Sequence, residues 1–271
     1  MKGSSRAAAT AAQAALDRAL STQSSSGPLA DELFAVTRVV DGSASLRRAL
    51  ADPSREGADK RALAERLFAG KVSSAAAALV GDVVASRWSS PRDLTDTLES
   101  LAVQSILATA EREGRIDRVE DELFRFERIV AGSPQLRDTL SMRNTDGAGK
   151  AALVHGLLDG KAAPETVRLA EQAVSAPRGR RLDRTMARYL ELAATRREEL
   201  TAVVTAATVL TEQQQARLSS ALEGIYGKPI TLQIVLDPAV IGGIRVQLGD
   251  EVVDGTVLRR LDEARRHITG A

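Results

Sequence analysis

Cysteine is absent from the 271-residue sequence, which excludes disulfides, zinc–thiolate sites and catalysis by a thiol nucleophile. Aromatic residues make up only 3%, whereas deep ligand pockets usually have aromatic walls. No apolar run approaches the ~18 residues of a membrane-spanning helix, and the N-terminus lacks the apolar core of a signal peptide. These absences predict a cytoplasmic protein, soluble or attached to a membrane complex through partners.

An excess of charge of either sign is also lacking, since 37 Lys and Arg oppose 36 Asp and Glu. A nucleic-acid-binding domain needs a basic face, because neutralising phosphates supplies most of its affinity. The densest basic run, Arg178, Arg180, Arg181, Arg184 and Arg188, lacks interleaved aromatic residues and sits among Asp183 and Glu191. We therefore interpret the run as a solvated or partner-facing helix.

No grouping of residues predicts catalysis, a cofactor or a metal. The segment from Gly147 to Ala151 lacks the first Gly and the Ser or Thr of a phosphate-binding P-loop, so a loop joining helices is favoured. His155 and His267 stand without other metal ligands at suitable spacing, which predicts surface histidines. Trp88, the single tryptophan, is expected to anchor a core or an interface.

What the first two hundred residues do contain is helical patterning. Gly27-Pro28, Ser90-Pro91 and Ser133-Pro134 each precede apolar residues at helical spacing and predict helix starts. Residues 31–86 also match residues 121–176 without a gap, with 21 identities in 56 positions by direct count. Because shared loop glycines such as Gly57 and Gly147 are included, helix periodicity cannot explain the match, which predicts a tandem duplication of about 90 residues.

The pattern changes after residue 199. Thr201 to Val209 is rich in Val and Thr and predicts a strand. Thr211 and Gln214 then form a capping box for a helix that ends near Gly227.

Two alternating strands follow, with Ile230, Leu232, Ile234 and Leu236 on one face of the first and Ile244, Val246 and Leu248 on one face of the second. Gly242-Gly243 is interpreted as the tight connection between them. Residues 251–253 predict a short return strand, and Asp254 or Thr256 would cap a last helix.

The predicted fold is therefore mainly α. Two tandem α-helical bundles, residues 1–104 and 105–199, precede a small α+β module of β-α-β-β-α order, residues 200–271.

The C-terminal module carries a specific resemblance to a known family. Its motif residues are Asp237, Gly242, Gly243, Ile244, Gly249, Asp250, Asp254 and Gly255. Their order resembles the delta subunit of the bacterial F-type ATP synthase, a relative of the mitochondrial oligomycin sensitivity conferring protein. The segment from Ala206 to Gln214 is similar to the start of the same module. The chain departs from the family pattern by carrying the helical bundle twice.

The resemblance implies a stator subunit of the proton-translocating ATP synthase, present once in a hetero-oligomeric complex at the cytoplasmic face of the cell membrane. It implies that helical bundles hold N-terminal helices of alpha subunits and that the C-terminal module holds the b-type peripheral stalk. No catalytic, cofactor-binding or metal site is implied, and the motif residues have a structural role. Two versions stay open: both bundles grip the head, or the second is a spacer. The alternative function is a generic helical adaptor unrelated to ATP synthase.

Overall fold

A computed structural model describes residues 3–21, 27–142, 146–197, 200–227, 230–237, 240, 242–248 and 251–254. The chain divides into two compact units, Met1–Arg197 and Glu198–Ala271. The fold is mainly α with a small α+β part, as predicted. None of the helices in these ranges is both long and apolar enough to cross a membrane.

The first unit is helical throughout its described residues. Its helices are α1 (Gly3–Ser21), α2 (Gly27–Gly42), α3 (Ala44–Ala51), α4 (Gly57–Phe68), α5 (Ser74–Ala85), α6 (Pro91–Arg112), α7 (Ile116–Gly132), α8 (Pro134–Ser141), α9 (Gly147–Leu158), α10 (Pro164–Ser175) and α11 (Leu182–Arg197).

The helix starts predicted from Gly-Pro and Ser-Pro pairs are confirmed. Ser90 caps α6 by accepting a hydrogen bond from the backbone N–H of Arg92 at 3.2 Å, with Pro91 in the first turn. Ser133 caps α8 in the same way, accepting from Leu136 at 3.4 Å. These contacts satisfy donors that the first helical turn leaves without partners.

The duplication is visible as equivalent contacts, where "equivalent" denotes residues ninety positions apart. Ser43 and Ser133 cap equivalent helices. Gly70 and Gly160 both adopt left-handed backbone angles, with φ of 69° and 68°. A Cβ on Gly57 would lie 2.7 Å from the Ala85 carbonyl oxygen, and one on Gly147 would lie 2.6 Å from that of Ser175. The glycines are therefore needed where α4 and α9 begin against a neighbouring backbone.

Gly147 to Ala151 is consequently not a loop between helices, and that interpretation was wrong. These residues form the first turn of α9, capped by Asp146, whose carboxylate accepts from Ala148 at 3.2 Å. Lys150 is buried and donates to the Met142 carbonyl.

Helix α6 belongs to both copies. The buried residues of α1 are Ser5, Ala8, Ala12, Ala15, Leu16 and Leu20, and their equivalents in α6 are Thr95, Leu98, Ala102, Ser105, Ile106 and Ala110, which are also buried. Helix α1 packs on α5 and α6, and α6 packs on the equivalent helices α10 and α11. Likewise α2 packs on α6 as α7 packs on α11. Thus α6 is the last helix of the first copy and the first helix of the second.

This sharing affects how the copies can be divided. One continuous hydrophobic core runs from Ala8 to Ala193 through both of them. The predicted boundary between residues 104 and 105 falls inside α6. The division into copies therefore stays a prediction from the sequence repeat, and the helices of both lie in one compact unit.

The second unit is a mixed sheet with one helix across it. Strand β1 (Leu200–Ala206) pairs in parallel with β2 (Ile230–Leu236) and antiparallel with β3 (Ile244–Leu248), which pairs antiparallel with β4 (Glu251–Asp254). Helix α12 (Glu212–Tyr226) connects β1 to β2, and its predicted capping box and left-handed Gly227 are confirmed. A small core forms from Val204, Leu222, Ile230 and Val246.

The expected role of Gly242-Gly243 needs correction. The strand order is β2-β1-β3-β4, so β1 lies between the two strands that the glycines were expected to join tightly. A tight turn can only join neighbouring antiparallel strands, and β2 and β3 are not neighbours. The glycines, with φ of 66° and 77°, instead end a longer connection directly before β3. The predicted last helix after Asp254 lies outside the described residues.

Candidate interaction surfaces

Four motif residues of the second unit, Asp237, Gly242, Gly243 and Ile244, lie around one end of β1. Ala206, the last residue of β1, is opposite Leu236 on one side and Ile244 on the other. The backbone N–H of Asp237 donates to the Ala206 carbonyl at 3.0 Å. Gly242 and Gly243 lead into Ile244 at the same end.

Asp254 lies elsewhere, opposite Arg245 at the end of β4. Gly249, Asp250 and Gly255 lie outside the described residues. The positions that are described thus serve the backbone path of the sheet, and no reactive grouping is formed among them.

The second unit presents several large apolar side chains to solvent. They are Val209, Ile225, Val235, Leu236, Val252 and Val253. Two of them, Val252 and Val253, are neighbours on the edge strand β4, and exposed apolar side chains can contribute to a surface that docks on another protein.

In the first unit, the basic run from Arg178 to Arg188 begins inside the protein, so its interpretation as a solvated helix was wrong for the first residues. Arg178 is only 8% exposed and its guanidinium lies 2.7 Å from the Glu99 carboxylate, 2.9 Å from that of Asp96 and 3.3 Å from that of Asp41. Burial by itself lowers the pKa of Arg178, but these three carboxylates outweigh it and raise the pKa above its ordinary value. Arg178 therefore ties the α10–α11 connection to α2 and α6.

Glu99 is the centre of this ion-pair network. It lies on α6 with a nearly fully buried side chain and also accepts from Arg180 and, at 3.5 Å, from the Tyr189 hydroxyl. Burial, reinforced by the Glu99 carboxylate, raises the pKa of Tyr189. Sequence reasoning missed Glu99 because a single acidic residue on a helix gives no signal of burial.

A cavity of about 790 Å³ lies at one end of the second copy, with Ala173, Val174 and Met186 among its apolar lining and Arg180 and Arg181 among its polar lining.

In the first copy the residue equivalent to Arg178 is Trp88. Trp88 is 2% exposed, confirming its predicted core role, and donates to the carbonyl of Val83 at 2.9 Å. Val83 is equivalent to Ala173, so the position that contacts the indole in the first copy lines the cavity in the second.

A shallow groove of about 580 Å³ runs between α7 and α11. We call it the α7/α11 groove. Its lining consists of Asp117, Glu120, Asp121, Phe124, Ala187, Leu190, Glu191 and Ala194. Phe124, Leu190 and two alanines form the apolar part of this lining, and four carboxylates form its polar part. A groove that combines apolar and charged lining residues is of the kind into which an amphipathic helix docks.

The remaining candidates from the sequence have ordinary surroundings. His155 is exposed as predicted, and its Nδ1 lies 2.7 Å from the Glu171 carboxylate. His267 lies outside the described residues. Across the described ranges, no group of three or more His, Cys, Asp or Glu side chains is placed to hold a metal ion.

Comparison with known proteins identifies relatives along the whole chain. The model of the family described as "ATP synthase delta (OSCP) subunit" matches residues 103–268, a match that begins inside α6. "ATP synthase subunit delta" of Kineococcus radiotolerans is 46% identical over 269 residues, covering 99% of this chain and 98% of that protein.

Two proteins of the same name extend the match to the first copy. The one from Streptomyces coelicolor is 46% identical over 99% of this chain and 98% of that protein. The one from Streptomyces griseus is 44% identical over 100% of both chains. A chain in a structure of the Toxoplasma gondii mitochondrial ATP synthase hexamer is 19% identical over 62% of this chain and 94% of that chain, with a TM-score of 0.29.

Proposed function

Since the chain belongs to the ATP synthase delta (OSCP) subunit family, it is a stator subunit of the ATP synthase, and we propose that it links the catalytic head to the b-type peripheral stalk. The observation that carries the proposal is the 46% identity to "ATP synthase subunit delta" across 99% of the chain. This membership decides against the alternative of a helical adaptor unrelated to ATP synthase.

The proposed task within this enzyme complex is mechanical. The complex is associated with a membrane, and we place this subunit peripherally at the cytoplasmic face. By holding the alpha and beta subunits still, the stator lets rotor torque change the catalytic sites instead of turning the whole head. The chain itself contributes no catalytic residue in this proposal.

We assign the head contact to the helical unit and the stalk contact to the second unit. In the helical unit, Ala7, Ala11 and Ala14 form an exposed stripe at helical spacing on α1. Their equivalents in α6 include Thr97 and Leu101, which are buried between the copies. This difference supports a contact of the first copy with N-terminal helices of alpha subunits. It argues against an identical contact made by the second copy.

The exposed apolar side chains of the second unit support the stalk contact. Val252 and Val253 lie on β4, at the edge of the sheet. A sheet edge and its apolar side chains can accept a partner segment through backbone and side-chain contacts together.

The test of the stator role uses membranes from cells that lack this chain and cells complemented with the full chain. We expect ATP hydrolysis to persist without the chain while ATP-driven proton pumping is lost, because an unheld head turns with the rotor. Complementation should restore pumping. Pumping that is unchanged in the absence of the chain would refute the stator role.

The two contacts are tested by a photo-reactive amino acid placed in the full chain within the purified complex. At position 252, in place of Val252, it should cross-link to the b-type subunit. At position 11, in place of Ala11, it should cross-link to an alpha subunit. Asp138, exposed on α8, provides the control position. Fragments cut between residues 104 and 105 are unsuitable because the cut would divide α6. A cross-link from Val252 to alpha, or from Ala11 to b, would reverse the assignment.

A further inference from the structure

The α7/α11 groove is the open counterpart of a surface that the chain itself covers in its first copy. Phe124 in the groove is 52% exposed, whereas its equivalent Phe34 is 6% exposed. Ala187 is exposed, whereas its equivalent Thr97 is buried. The phenylalanine is thus kept at equivalent positions of the two copies, but it is covered in the first copy and exposed in the second.

The cover in the first copy comes from helices of the second. Helices α10 and α11 pack on α6, and Arg168 of α10 lies 2.5 Å from the carboxylate of Asp31 on α2. Asp31 is equivalent to Asp121, which lines the α7/α11 groove. In the first copy, this surface therefore binds a helix that presents an arginine to Asp31.

We propose that the α7/α11 groove binds an amphipathic helix of another subunit, with apolar residues against Phe124 and an arginine or lysine paired with Asp121. The proposal rests on the proposed function in one respect, namely that this chain connects other polypeptides. It assigns a binding surface to the second copy that is different from the alanine stripe of the first.

Charge determines the chemistry of this partner. The groove lining contains four carboxylates, those of Asp117, Glu120, Asp121 and Glu191, and no lysine or arginine. Asp121 lies 2.6 Å from Arg125 on the same helix, and Glu191 lies 2.7 Å from Arg188. Both are exposed pairs one helical turn apart, and such pairs are weak, so an incoming cation can replace them.

A second copy of this chain fits the groove poorly. By the repeat, the surface that would dock there is the one around α5, equivalent to α10. The residue equivalent to Arg168 is Ala78, which brings no cation to Asp121. Such head-to-tail docking would also continue into an open chain of molecules. The partner is therefore a basic helix from a different polypeptide.

The test measures binding of two synthetic peptides to the full chain by fluorescence anisotropy. Each peptide has about 18 residues, long enough to form a helix on the surface, with an apolar stripe flanked by three arginines in one and three glutamates in the other. We expect the arginine peptide to bind at least about tenfold more tightly. Equal affinities for the two peptides, or no binding of either, would overturn the proposal.

Substitutions locate the binding. Phe124→Ala should lower the affinity for the arginine peptide by at least about tenfold, as is common for buried aromatic contacts. Asp121→Lys should reduce or reverse the preference for arginine. The matched control is Ile129→Ala, which removes an equally exposed side chain from the same helix outside the groove lining. Loss of binding in the control to the same extent would contradict the assignment.

Sedimentation of the chain alone distinguishes a second copy as occupant. Concentration-dependent association that Phe124→Ala abolishes would assign the groove to self-association and overturn the proposal. Because these measurements need no other subunit, failure here is separate from failure of the proton-pumping test of the stator role.

Discussion

Tyr189 and Glu99 occupy equivalent positions in the two copies, ninety residues apart, and the tyrosine hydroxyl lies 3.5 Å from the glutamate carboxylate. The duplication has therefore placed one residue of the repeat against its own counterpart. Around this contact, Arg178 and Arg180 neutralise the buried carboxylate. The network forms the polar part of the junction between the copies.

Glu99→Ala is expected to destabilise the helical unit strongly. Removing one partner of a buried ion pair leaves the other charge buried without compensation, at a cost of about 3–5 kcal/mol. Urea unfolding followed by Trp88 fluorescence measures the change, since Trp88 lies in this unit. The control Asp138→Ala, which removes an exposed carboxylate 3.7 Å from Arg137, should cost less than about 1 kcal/mol. Equal costs for both variants would refute the importance of the network.

The surroundings of Glu122 predict that the stability of the helical unit depends on pH. Burial raises its pKa, but hydrogen bonds from Thr166 at 2.6 Å and the Ala163 backbone at 2.8 Å, together with Arg118, outweigh burial and hold the pKa below the usual value. A lowered folded-state pKa stabilises the fold above the unfolded-state pKa, and this contribution is lost as the pH falls through the folded-state value.

Glu122→Gln should therefore cost about 1–2 kcal/mol at pH 7, in the range of helix-capping contacts, and much less at pH 3. Urea unfolding at both pH values measures this difference. Glu65→Gln, at an exposed position on α4, should change stability little at either pH. A cost for Glu122→Gln that is the same at pH 3 and pH 7 would contradict the assigned cause.

Gly147 and Gly149 are two residues apart in α9 and should respond oppositely to alanine. Gly147→Ala places a Cβ 2.6 Å from the Ser175 carbonyl oxygen, and we expect a loss of about 1–3 kcal/mol from overpacking. Gly149 has no atom within 4 Å of an added Cβ, so Gly149→Ala should gain up to about 1 kcal/mol in helix propensity. Thermal unfolding midpoints that shift in the same direction would contradict the close approach of α9 to Ser175.

The shared core predicts that the two copies unfold together. Leu169→Ala, which removes a fully buried side chain from α10 of the second copy, should cost about 2–5 kcal/mol. Because Trp88 lies in the first copy, its fluorescence transition should move by as much as the circular dichroism transition of the helices. A Trp88 transition that stays at the wild-type midpoint would show that the copies unfold independently.

Gly243→Ala tests the motif glycines of the second unit. A non-glycine residue at its φ of 77° is strained by about 1–2 kcal/mol. We expect faster hydrogen exchange in β1 and β3 and an unchanged Trp88 transition. Gly224→Ala is the control in α12, where an added Cβ meets no atom within 4 Å. Unchanged exchange in β3 for Gly243→Ala would refute the strained position.

The sequence predicted those features that depend on neighbouring residues. Ser90-Pro91, Ser133-Pro134 and the capping box at Thr211 mark helix starts by local hydrogen bonds, and the structure has all three. The repeat is recognisable in the sequence partly because Gly57 and Gly147 begin equivalent helices against a neighbouring backbone.

What the sequence could not predict depends on residues far apart. The burial of Arg178 requires Glu99, some eighty residues away, and the place of β1 between β2 and β3 depends on pairing across the sheet. The groove was missed because Phe124 and Phe34 are identical in sequence, and only the surroundings of the two copies distinguish them.

The double membership of α6 has a mechanical consequence. Tandem domains usually meet at a linker, where a few backbone angles change easily and the joint bends. Here the joint is the interior of a continuous helix, Pro91–Arg112, buried in a common core. Bending it would break backbone hydrogen bonds and core packing together. The helical unit is therefore stiff at the junction of its two copies, where separate domains on a linker would be compliant.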